Sequence, residues 1–108
     1  MKATYWQRGE TLDYTPTAAV KNGAVVDLGT RVGVAGSDIA AGEQGQVHVV
    51  GVFEMDKAAS EAITMGAAVY YDAENDVITS TAEGNTTAGY AAADAAAADP
   101  TALVKLLG

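Results

Sequence analysis

Turn signals recur about every ten residues along this chain, and they limit it to short elements. Asn22-Gly23, Gly29-Thr30, Gly42-Glu43-Gln44-Gly45 and Gly66 are the plainest of them. Between them lie runs rich in Val, Thr and Tyr, residues that favour a pleated, half-buried surface. Residues 11–15 form an extended run that stops at Pro16, which has no N–H to give to a ladder. Residues 24–28 and 31–35 flank Gly29-Thr30 and are expected to form a hairpin.

The strongest strand expectation covers residues 46–55. Alternation puts Val47, Val49, Phe53 and Met55 on one face, and Gln46, His48, Val50, Val52 and Glu54 on the other. Gly51 interrupts the run and implies a bulge or a close approach of backbone. Asp56 is then placed to cap a short helix over residues 57–65, with Ala59, Ala62 and Ile63 inward and Gly66 as its left-handed terminator. Strands resume over 67–72 and 77–81. Eight of the eleven residues 88–98 are Ala, which by propensity is helical. Thr86, Thr87 and Gly89 at the start and Asp99-Pro100 at the end instead favour a strand over 86–93 and a loop over 94–100. A last strand covers 102–107. Gly23-Ala24-Val25-Val26 is weakly echoed by Gly66-Ala67-Ala68-Val69, as two similar β units would be. The fold expected is mainly β, a small β-barrel or sandwich over residues 9–108 with one short helix, preceded by an N-terminal arm, residues 1–8.

Composition adds that the core is lean. Apolar residues make up 49%, but 23 of them are Ala. At roughly 25 cal/mol per Å² of buried apolar surface, such a chain has little surplus over its conformational entropy. Small domains of this kind often gain stability by oligomerising. Six basic against 14 acidic residues give a net charge of −8. Without a basic cluster, neither nucleic acid nor an anionic membrane surface is an expected partner. The absence of Cys excludes disulfides, thiolate metal sites and cysteine nucleophiles. No signal-peptide pattern follows Met1 and no apolar run approaches ~20 residues, so a soluble protein made in the cytoplasm is expected.

Catalytic machinery is not visible. His48, the sole histidine, sits mid-strand without a neighbouring carboxylate to orient it, and reads as a half-exposed strand residue. Asp72-Ala73-Glu74-Asn75-Asp76 begins like a calcium loop, but where such a loop requires Gly the sequence continues Val77-Ile78, which is a strand, so a polar hairpin turn is expected. None of the four lysines follows a Gly, which excludes the phosphate-binding loop of nucleoside triphosphatases. No cofactor is expected. Two rival functions remain: a ligand- or glycan-binding module using Tyr70 or Tyr71 as a stacking platform, and an enzyme whose Asp13, Asp72 and Asp76 converge in one cleft.

The remaining feature is the arm, Tyr5-Trp6-Gln7-Arg8. It joins the only Trp to a Tyr and one of two Arg, the residue types that dominate interface hot spots. It could serve as a contact segment, or Trp6 could plug one end of a barrel.

Several segments resemble a known family. Gly9-Glu10-Thr11-Leu12-Asp13-Tyr14-Thr15 and Asn22-Gly23-Ala24-Val25-Val26 are similar to the start of small phage head proteins described as capsid cement, or head decoration, proteins. The likeness continues through Val32-Gly33-Val34-Ala35, Ile39-Ala40-Ala41-Gly42-Glu43-Gln44-Gly45 and Gly51-Val52-Phe53-Glu54. It runs on through Ala62-Ile63-Thr64-Met65-Gly66, Val69-Tyr70-Tyr71-Asp72 and Ala88-Gly89-Tyr90-Ala91. Members are often labelled as a predicted recombinase, which the missing Gly-Lys loop and the negative charge argue against here. The chain departs from the family at Gly23-Ala24 and Gly66-Ala67, where Gly-Asp is common. The resemblance implies a β-barrel or β-tulip-like domain, similar in role to the lambda head-decoration protein. It implies a homotrimer on the outside of the virion that binds the phage major capsid protein and stabilises the mature head without catalysis. Assigning the capsid contact to Tyr5, Trp6, Gln7 and Arg8 follows from their composition, not from the resemblance.

Overall fold

Short apolar runs and tight turns give nine strands and no helix among residues 1–107, which the computed structural model describes. They are β1 (Thr11–Tyr14), β2 (Val25–Asp27), β3 (Val32–Ala35), β4 (Gly45–His48), β5 (Val52–Asp56), β6 (Ala68–Asp72), β7 (Val77–Thr79), β8 (Thr86–Ala91) and β9 (Thr101–Leu106). They form two antiparallel sheets, ordered β1-β4-β3-β2 and β5-β9-β8-β6-β7.

The run expected as one strand over 46–55 is two strands in different sheets. Gly51, at φ +130, turns the chain from β4 to β5, and its carbonyl accepts the Leu106 N–H at 3.0 Å. Few side chains tolerate that φ. The alternation survives the corner: Val47, Val49 and Met55 are buried and Phe53 is half-buried, while Val50 and Val52 are exposed.

Two apolar clusters result. The larger lies between the sheets, where Val32 and Val34 of β3 meet Val69, Ile78, Val104 and Leu106. The smaller covers the opposite side of the four-stranded sheet, where Val26, Ala35 and Val47 pack with Ile39 and Val49. Strand β3 is therefore buried on both faces. The sheets are also tied by Thr86 Oγ1, which donates to Asp27 Oδ2 at 2.9 Å.

Two expectations are corrected. No helix forms over 57–65, because that segment's backbone groups bond to distant strands. Lys57 N–H donates to the Pro100 carbonyl, Ala58 N–H to Ile78, and Ile63 and Ala95 exchange a pair of bonds. Ser60 has φ 62, outside the right-handed helical range. The Lys57 side chain is buried, and its ammonium donates to the carbonyls of Ala58, Glu61 and Ala97, so the segment wraps a cation rather than its own axis. Nor is there a closed barrel. The five-stranded sheet curls until Lys57, just past β5, makes one parallel bridge with Ile78 of β7, and no ladder follows. The four-stranded sheet ends at β1 and β2. A strand does form over Thr86–Ala91, and the Ala-rich stretch after it is a loop pinned at Ala95.

Candidate functional site

Residues 1–8 carry no regular structure and are exposed along their length. Tyr5 is 82% and Trp6 87% exposed. Gln7 Nε2 donates to the Thr11 carbonyl at 3.4 Å. Trp6 therefore plugs no sheet opening in this chain. The four residues singled out from sequence remain together on one extended segment, beside the free edge strand β1.

Of the two tyrosines expected as a stacking platform, Tyr70 is half-buried on β6. Tyr71 is buried, and its hydroxyl donates to Asp76 Oδ1 at 2.6 Å, so it offers no stacking face. Burial, and then the Asp76 bond, push its hydroxyl well above the ordinary tyrosine value. Asp72 closes the β6–β7 turn, accepting from the Asn75 side chain and from the backbone N–H groups of Asn75 and Glu74. Those bonds, the Asn75 side chain foremost, hold its carboxyl below the usual range. Asp76 borders a cleft between the sheets, whereas Asp13 lies on the outer strand β1 and Asp72 borders a separate depression. The three acids thus share no cleft. Among the described residues no cluster of three or more His, Asp or Glu is placed to hold a metal ion.

The inter-sheet cleft, of about 420 Å³, is the feature that sequence reading missed. Val25, Val34 and Met55 give it an apolar floor. His48 and Phe53 form one wall, their ring centroids 6.0 Å apart and their planes at 40°. In one continuous strand these two would face opposite ways; the change of sheet at Gly51 brings them together. Alternation along the chain carries no signal for that.

The second depression is held by Glu61. Its carboxylate accepts from Ser80 N–H and Oγ and from Thr79 Oγ1, at 2.8 to 3.0 Å. The Ser80 N–H bond is the main cause of a carboxyl held below the ordinary range, with burial opposing it.

The described residues form a body of two stacked β-sheets with the chain's sole Trp on an exposed arm. A family model described as phage cement protein matches residues 6–106. The chain belongs to that family, which gives it a structural role in association with the phage capsid. The match begins at Trp6, so most of the aromatic–basic segment falls within the family's extent. No curated protein and no solved structure matches the chain.

Proposed function

We propose that this cement protein binds the outer surface of the capsid and stabilises the mature head by bridging neighbouring major capsid subunits. Residues 9–108 act as the decoration domain and residues 1–8 as its contact arm. The observation that carries this reading is the exposure of Tyr5 and Trp6, two large aromatic side chains that their own chain leaves uncovered. A soluble domain gains nothing from holding them in water, whereas burying each against a partner removes much apolar area and leaves a polar handle to be bonded.

Mechanically, the arm orders on contact with the shell, and Arg8 and Gln7 satisfy polar groups at its rim. A homotrimer suits the lean core, since symmetric contacts cover surface that one small domain cannot. A junction between capsid subunits exists only in the assembled shell, so binding there favours the shell over its parts by mass action.

The test is co-sedimentation with expanded capsids, preceded by light scattering of the free protein. Removing residues 1–8 should abolish most capsid binding while leaving the β fold, judged by circular dichroism, unchanged. Undiminished binding by the truncated chain would take the arm out of the mechanism.

A further inference from the structure

The charges of arm and body are opposed. Residues 1–8 hold Lys2 and Arg8 and no acid, whereas residues 9–108 hold four basic and 14 acidic residues. The inter-sheet cleft repeats this contrast locally. Three acids, Glu54, Asp56 and Asp76, border it, and none of its bordering residues is Lys or Arg. Its aromatic wall of His48 and Phe53 and its apolar floor suit a ring. At about 420 Å³ it falls in the range of roughly 300–1,000 Å³ typical of ligand sites. An occupant should therefore be both aromatic and cationic, which describes Tyr5-Trp6-Gln7-Arg8.

In the chain itself, Trp6 stays 87% exposed and the arm enters β1, at one edge of the four-stranded sheet. The cleft runs from residues 22–25, leading into β2 at the opposite edge, to His48 of β4, which pairs with Thr11 at the start of β1. We infer that, in the free protein, the arm of one copy docks in the inter-sheet cleft of a second, with Trp6 against the His48–Phe53 wall and Arg8 toward the acidic rim. The inference rests on the arm being an interaction segment, but it concerns the protein before it meets a capsid. The shell then competes for the same arm.

Trp6 is the sole tryptophan and reports its own burial. Its fluorescence should move to the blue as the full-length protein is concentrated, in step with a rise in mass by light scattering. Added salt should weaken both changes, because the rim charges are exposed. Asp56→Lys reverses an exposed rim charge outside the core, and this variant should lose the concentration-dependent blue shift. The same variant should still sediment with capsids, which separates this inference from the capsid reading. Emission that does not change with concentration would overturn the inference. So would a blue shift without a change in mass, which would place the arm in its own chain's cleft, or a blue shift that Asp56→Lys leaves intact.

Discussion

At Gly89 the fold depends on a single missing atom. A Cβ there would lie 1.9 Å from the Lys105 carbonyl oxygen, and the backbone of β8 and β9 would have to part to admit it. Gly66, at φ +88, faces open space, so a Cβ there meets only the strain of a left-handed backbone. Gly89→Ala should cost about 3 kcal/mol, the upper end for overpacking. Gly66→Ala should cost about 1 kcal/mol, the penalty for a non-glycine residue in that conformation. Urea denaturation of the two variants checks this ranking; equal midpoints would mean that the β8–β9 contact yields easily. Sequence showed both glycines, and placed Gly66 at a turn, but nothing local distinguishes a glycine in a turn from one pressed against a neighbouring strand.

At the scale of elements, the segment between β5 and β6 is where local reading and structure part. Asp56, the Ala residues and Gly66 make a plausible capped helix, and the terminator does sit at a turn. What overrides them lies far along the chain: Ile63 pairs with Ala95, the Lys57 N–H donates to the Pro100 carbonyl, and the Lys57 ammonium reaches the Ala97 carbonyl as well as those of Ala58 and Glu61. Strand alternation was legible because burial on one face imposes period two on neighbouring residues, as Val47, Val49 and Met55 show. The aromatic and basic make-up of residues 5–8 was legible from composition, and the structure adds only that they are exposed. The cleft was not, since it arises from the packing of two sheets.

Glu61 makes this segment acid-sensitive. Its carboxyl is held below the ordinary glutamate value of 4.5, so the unfolded chain binds a proton more readily than the folded one. The stability it contributes is therefore present above that value and is lost as pH falls through it toward the lower folded value. Glu61→Gln should flatten the decline of the unfolding midpoint below pH ~4.5 while costing stability at neutral pH. An acid limb of the same steepness in the variant would move the sensitivity to other carboxylates.

For the whole molecule, the proposed function is to stabilise something larger than itself. The chain is 108 residues, 23 of them Ala, so rigidity of its own is not its main resource. On that proposal, what it contributes to a shell is binding free energy that exists only while the shell is intact. If n copies bind junctions that vanish on disassembly, each adds RT ln(1 + [L]/Kd), about 2.7 kcal/mol at a hundredfold excess over Kd. The stabilisation therefore grows with the logarithm of free protein and multiplies across the lattice. The melting temperature of expanded capsids should accordingly rise steadily as this protein is titrated in. It should stay flat for the chain lacking residues 1–8, whose contacts the shell would miss. The Asp56→Lys variant should follow the full-length protein or exceed it, because an arm released from a neighbour's cleft is free for the capsid. A capsid melting temperature independent of added protein would show that the chain decorates the shell without holding it together.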